Sequence, residues 1–164
     1  MSTWVQVHST LIVDQKEGET KSEFKSKMEK IFGKNCLWNA PKEIWDDAEE
    51  HPDQYLPMGS EGTLEMTIGR GKYFDQYASN DGQLVKACWI VYINGGLRDR
   101  IGVDWINEWY SKALWKLRDE EDSKTRVNGS FVTYDFSVSD GVESLEREWM
   151  WDSYKVTSCR SARV

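Results

Sequence analysis

The chain has 164 residues, a net charge of -7 at pH 7, 39% hydrophobic content and nine tryptophans. This composition excludes a disordered chain, in which aromatics are scarce, and argues against a surface that grips polyanions over its whole extent. A chain of this length most simply forms one domain, residues 1–164, burying roughly 70% of the surface its unfolded form exposes. No stretch approaches the ~18 apolar residues of a membrane span, and Met1 to Gln6 carries no leader pattern, so a cytoplasmic protein with no membrane partner is expected.

Trp4 to Asp14 reads as the first strand. Val5, Val7, Leu11 and Val13 fall on one side and Gln6, His8 and Thr10 on the other, which is the alternation of a half-buried strand. Thr20-Lys21-Ser22-Glu23 has the spacing of a capping box, and Phe24, Met28, Ile31 and Phe32 follow at helical intervals before Gly33, so a helix spans about 20 to 33. From Lys34 to Ser60 the periodicity fades and all three prolines occur, Pro41, Pro52 and Pro57. This is a long connection with a short helix from Pro41 through Glu50, and loops of this length commonly carry function.

Thr63 to Arg70 alternates again, with Leu64, Met66 and Ile68 on one face. Leu84 to Asn94 is apolar on both faces and reads as a central strand ended by Gly95-Gly96. Asn80-Asp81-Gly82 signals the turn between them, with Tyr73, Phe74 and Tyr77 at an aromatic tip. Asp104 is the expected cap of a second long helix reaching Leu117, whose apolar stripe contains Ile106, Trp109, Tyr110, Ala113 and Leu114. An acidic turn, Asp119 to Asp122, precedes a fourth strand, Phe131 to Val138, with Val132, Tyr134, Phe136 and Val138 facing the helices. Asn128-Gly129-Ser130 is taken as a turn before it. A further strand is expected over 148–156, carrying Trp149 and Trp151.

Strand, helix, strand, strand, helix, strand is the ferredoxin-like βαββαβ plan: an α+β fold with an antiparallel sheet and two helices on one face. To it are added the long insertion after the first helix and the terminal strand. The open sheet face would then present His8, Thr10, Glu65, Lys86, Cys88, Ile90, Tyr92, Thr133 and Asp135.

Chemistry is thinly signalled. His8 and His51 are the two histidines, and Cys36, Cys88 and Cys159 are far apart without a Cys-x-x-Cys pair, so no metal, no cofactor and no disulfide framework are expected. His8 with Glu65, Tyr92 and Asp135 on the open face is the acid-base alternative, and a small ligand between the long loop and the sheet would use His8 or His51. Gly69-Arg70-Gly71-Lys72 follows a strand, but no helix or Ser/Thr completes a phosphate loop. Direct nucleic-acid binding through Arg70, Lys72, Arg98 and Arg100 is a third reading. Ala87 to Tyr92 lacks the basic residue, Gly and paired aromatics of an RNA-recognition strand.

The connection offers the sharper pattern. Trp38, Trp45 and Tyr55 stand among Asp46, Asp47, Glu49, Glu50 and Asp53, and aromatics beside carboxylates suit an interface with a basic partner. A non-catalytic binding or regulatory protein is therefore expected. Its partner is another protein, and one that itself binds nucleic acid in a Lys/Arg-rich groove fits the charge. Trp149 and Trp151 belong to the same candidate surface, either packed on the sheet or on a ribbon open to a partner strand.

Overall fold

The computed structural model describes residues 3–74, 85–99, 102–121, 127–137, 145–152 and 155–163. The order is β1 (Thr3–Asp14), α1 (Lys21–Phe32), α2 (Lys42–Glu50), a single 3-10 turn (Pro52–Gln54), β2 (Leu64–Phe74), β3 (Val85–Arg98), α3 (Val103–Glu120), β4 (Val127–Ser137), β5 (Leu145–Asp152) and β6 (Lys155–Arg163). This is a mixed α+β fold. Every strand pairs antiparallel with its neighbours in the order β2-β3-β1-β4-β5-β6.

Local signals account for α1. Thr20 caps it, its hydroxyl accepting from the Glu23 N–H at 3.3 Å while the Glu23 carboxylate accepts from the Thr20 N–H at 2.8 Å, so two otherwise orphaned donors are satisfied. Hydrogen bonds donated to the Glu23 carboxylate by the Thr20 N–H and by the Thr20 hydroxyl, the latter at 2.7 Å, hold that carboxyl below its ordinary pKa. Phe24, Met28, Ile31 and Phe32 are the buried face. They meet Val5, Val7, Leu11 and Val13 of β1, Trp89, Val91 and Ile93 of β3 and the stripe of α3 in one core. Trp89 is stacked on Phe24 with ring centroids 5.1 Å apart, an arrangement that contributes about 0.5–1.5 kcal/mol beyond the area it buries.

Several boundaries differ from the sequence reading. β3 does not stop at Gly95-Gly96 but continues to Arg98 with Leu97 fully buried. The glycines permit close approach, since a Cβ at Gly95 would lie 2.4 Å from the Thr63 carbonyl oxygen. β2 likewise runs on to Phe74, placing Tyr73 and Phe74 inside the strand. The 80–82 turn and Tyr77 lie outside the described residues. α3 starts one residue before Asp104, with Gly102 at the cap and no side-chain cap hydrogen bond. Asp119 and Glu120 belong to that helix and Glu121 is its buried end, so the acidic turn is mostly helix. Asn128-Gly129-Ser130 is strand, within β4.

The frame of β4 is also one residue from expectation. Phe131 lies opposite Ser9 and Thr133 opposite Val7, and both are buried, whereas Val132, Tyr134 and Phe136 stand opposite His8, Gln6 and Trp4. A one-residue slip exchanges the two faces of a strand, and here α3 decides the matter. Tyr110 stacks on Phe131 at 3.8 Å and shares a 2.5 Å hydrogen bond with the Ser9 hydroxyl. Thr133 donates to the Asn107 side-chain oxygen at 3.1 Å. These polar pairs satisfy groups that alternation of apolar residues would have placed outside. The terminal segment forms two strands rather than one, β5 lying between β4 and β6.

A candidate protein-binding surface beside strand β2

The connection from Gly33 to Thr63 is built against the outer edge of β2. Gly33, at φ 109, brings the chain so close to the Tyr55 backbone that a Cβ would lie 2.3 Å from its carbonyl carbon. Lys34 N–H then donates to the Gln54 carbonyl at 2.8 Å and Leu56 N–H to the Lys34 carbonyl at 2.9 Å. Asn35 works as a substitute strand partner: its amide donates to the Met66 carbonyl at 3.0 Å and its oxygen accepts from the Met66 N–H at 2.8 Å. A satellite cluster of Cys36, Ala48 and Tyr55, with Ala40, Trp45 and Met58 against it, fixes α2 to this base. Burial raises the Cys36 thiol pKa.

The predicted aromatics therefore divide. Trp38 is 83% exposed. Trp45 is half-buried in the satellite cluster. Tyr55 is buried at 5% exposure, and its hydroxyl donates to Asp47 at 2.5 Å. That hydrogen bond, with burial and the Asp47 charge behind it, pushes the phenol up to about 12. Tyr55 is thus a structural anchor of the surface and not part of its exterior.

α2 has the sequence Lys-Glu-Ile-Trp-Asp-Asp-Ala-Glu-Glu, with five carboxylates in nine residues. Glu43, Asp46, Glu49 and Glu50 are exposed, as is Asp53 after the helix, while Asp47 is half-buried. Lys42 approaches Asp46 at 3.8 Å on the open surface, a pair worth little in water. The last turn holds no basic residue, so Glu49 and Glu50 oppose the negative end of the helix dipole, and acids three and four apart repel. The helix holds this charge because Ala48 and Trp45 are packed beneath it.

The other candidate residues do not converge. On the open face, His8 lies in register between Asn94 of β3 and Val132 of β4, and Glu65 lies opposite Asn94. Asp135 stands opposite Val5 in the β1–β4 register, and not opposite His8. Tyr92 is exposed one row away, opposite Thr10 and Thr67. The register thus sets His8 and Glu65 on either side of Asn94 and puts Tyr92 and Asp135 at other rows of the sheet. His51 is exposed at the end of α2. Thr133, expected on the open face, is buried beneath α3, and Cys88 is buried on the open face with its thiol pKa raised, chiefly by burial.

Among the basic residues, Arg98 is held by Glu61 at 2.5 Å and Asp99 at 3.1 Å, and the Glu61 contact is the main reason its pKa is raised. Arg70 lies with its guanidinium 5.0 Å from the Trp89 ring. Lys72 is exposed on β2, and Arg100 lies outside the described residues. Trp149 pairs in register with Phe131 and Cys159, and Trp151 with Gly129 and Val156. Their strand is paired on both sides, so it is not a ribbon open to a partner.

Sequence reasoning missed the Asn35 edge cap and an ion network under the molecule. The Glu121 side chain, 2% exposed, is paired with Lys16 at 2.8 Å and with Lys27, which also holds Glu19 at 3.1 Å. Glu19 in turn accepts from the Trp89 indole at 2.7 Å. The Lys27–Glu121 and Glu19–Trp89 contacts join residues 94 and 70 positions apart, and no local spacing announces them. A shallow hollow of about 330 Å³ lies nearby, lined by Ser22, Glu23, Ser26, Lys27, Lys30 and Glu120; it is not the expected cleft between loop and sheet.

Among the described residues no group of His, Cys, Asp and Glu side chains is arranged to hold a metal ion, and no helix is long and apolar enough to cross a membrane. Comparison with family models, with curated proteins and with solved structures returned no match.

Proposed function

We propose that the protein is a non-catalytic binding or regulatory protein whose α2 and Trp38 form an acidic, aromatic surface for a basic macromolecular partner. The observation that carries the reading is the charge of α2. Its exposed carboxylates repel one another and oppose the helix dipole, and a local arrangement that works against its own element is characteristic of functional sites. A Lys/Arg-rich partner surface removes that conflict. Trp38, exposed beside the helix on a connection anchored by Gly33, Asn35 and Tyr55, has the size and rigidity of an interface hot spot. The partner is a protein whose basic groove takes nucleic acid, and the acidic surface occupies that groove in its place.

We also assign β1, α1, β2, β3, α3 and β4 to a ferredoxin-like unit. The order β2-β3-β1-β4 supports it, because each helical crossover, from β1 to β2 and from β3 to β4, passes over one antiparallel strand.

The test compares binding to a partner captured from extracts of the source cells. Trp38→Ala, and separately Glu43→Gln with Asp46→Asn, Glu49→Gln and Glu50→Gln, are each expected to weaken binding tenfold or more while the fold is kept. Wild-type affinity in both would move the interface elsewhere.

A further inference from the structure

Among the described residues, the outer edge of β2 is hydrogen-bonded at two of its six outward-facing positions. Asn35 bonds both the N–H and the C=O of Met66, and the Leu64 N–H donates to the Pro57 carbonyl at 3.3 Å. Both residues therefore point their backbone groups away from β3. In an antiparallel ladder this orientation recurs at every second residue, and the β2–β3 register runs without interruption from Leu64↔Gly95 to Phe74↔Val85. Ile68, Arg70, Lys72 and Phe74 consequently direct their N–H and C=O groups outward as well. Among the described residues nothing hydrogen-bonds to them. An open strand edge of this kind is a template for another strand.

The side chains along this edge differ between its faces. On the helix side Arg70, Lys72 and Phe74 are exposed, Phe74 to 65%, with Val85 opposite it exposed to 53%. On the other side Gly69 and Gly71 present bare backbone, and the terminal carbon of Ile90 lies 2.7 Å from where a Gly71 Cβ would be. An added strand thus meets two cations about 7 Å apart, two residues along one strand, on one face, and backbone with an isoleucine tip on the other. Self-pairing of two β2 edges would bring the Arg70 and Lys72 side chains of both copies together. The charge favours a foreign strand.

We infer that the Ile68–Phe74 edge of β2 accepts an extended peptide in which acidic and apolar residues alternate, the acids pairing with Arg70 and Lys72 and the apolar side chains lying over Gly69, Gly71 and Ile90. Recognition is by strand addition, in which backbone hydrogen bonds supply affinity and alternate side chains supply specificity. This surface is independent of α2 and Trp38 and selects the opposite charge.

The probe is a fluorescein-labelled synthetic heptapeptide, Thr-Glu-Val-Glu-Val-Glu-Thr, titrated into the full chain and followed by anisotropy and by amide hydrogen exchange. Saturable binding is expected. It should weaken at least tenfold for the peptide with Lys in place of Glu, for Arg70→Glu with Lys72→Glu, and for Lys72→Pro, which removes an outward N–H without touching the ladder to β3. Bound peptide should slow exchange at Ile68, Arg70, Lys72 and Phe74 and leave Gly69, Gly71 and Tyr73, already bonded to β3, unchanged. Equal binding of the lysine peptide, protection without this alternation, or protection that appears with protein concentration alone, as a second copy would produce, overturns the proposal. Trp38→Ala is expected to leave peptide binding intact.

Discussion

Replacing Gly33 by alanine tests how the α2 surface is held. Two glycines with positive φ make a controlled pair. Gly18, at φ 75, has open space where its Cβ would lie, so Gly18→Ala carries only the conformational penalty of a left-handed residue, about 1 kcal/mol once the loss of unfolded-chain freedom is set against it. Gly33, at φ 109, carries a comparable or larger backbone penalty of about 1–3 kcal/mol. Its Cβ would in addition lie 2.3 Å from the Tyr55 carbonyl carbon and 2.6 Å from the Leu56 nitrogen. Backbone cannot yield as a flexible side chain does, so the 54–56 segment has to move. That movement strains the hydrogen bonds Lys34 N–H to Gln54 and Leu56 N–H to Lys34, worth about 1 kcal/mol each. The expected cost of Gly33→Ala is about 4 kcal/mol against about 1 for Gly18→Ala. Urea unfolding followed by tryptophan fluorescence measures both. A Gly33→Ala cost no greater than that of Gly18→Ala would refute the view that the connection is locked at this contact.

Glu121→Gln should destabilise by about 2–3 kcal/mol, below the full penalty for breaking a buried pair because Lys16 is 39% exposed. In thermal unfolding this lowers Tm by about 5–10 °C. Asn35→Asp turns the donor to the Met66 carbonyl into an acceptor, with an expected loss of about 1–3 kcal/mol and faster hydrogen exchange at Met66. Tyr55 holds its proton up to about 12, above the ordinary value of 10. A raised folded-state pKa stabilises fully below pH 10, and that contribution is lost as pH rises from 10 through about 12. Asp47→Asn should lower the Tyr55 pKa and narrow this window, as read from tyrosinate absorbance, and an unchanged titration would refute the role of the hydrogen bond.

The parts of the fold legible in the sequence are those decided locally. Thr20 and Glu23 cap α1 through contacts three residues apart, and the alternation of β1 needs no distant partner to be read. The frame of β4 was not legible, because Phe131 and Thr133 face inward only once Tyr110 and Asn107 of α3 are in place. The same holds for the candidate surface. Trp38 and Tyr55 look alike in sequence, each an aromatic near acids, yet Tyr55 is buried through its approach to Gly33 and its bond to Asp47, while Trp38 stays exposed. Asp135 fails to join His8 for a reason of register that alternation alone leaves open.

The stability and the binding of the α2-neutralised protein, measured side by side, test the central claim most directly. With Glu43→Gln, Asp46→Asn, Glu49→Gln and Glu50→Gln together, relief of like-charge pairs should raise stability by about 1 kcal/mol, while affinity for the captured partner and competition with its nucleic acid should fall tenfold or more. A variant that is stabilised yet binds and competes as the wild type does would show that the charge on α2 has no part in recognition, and would contradict the account.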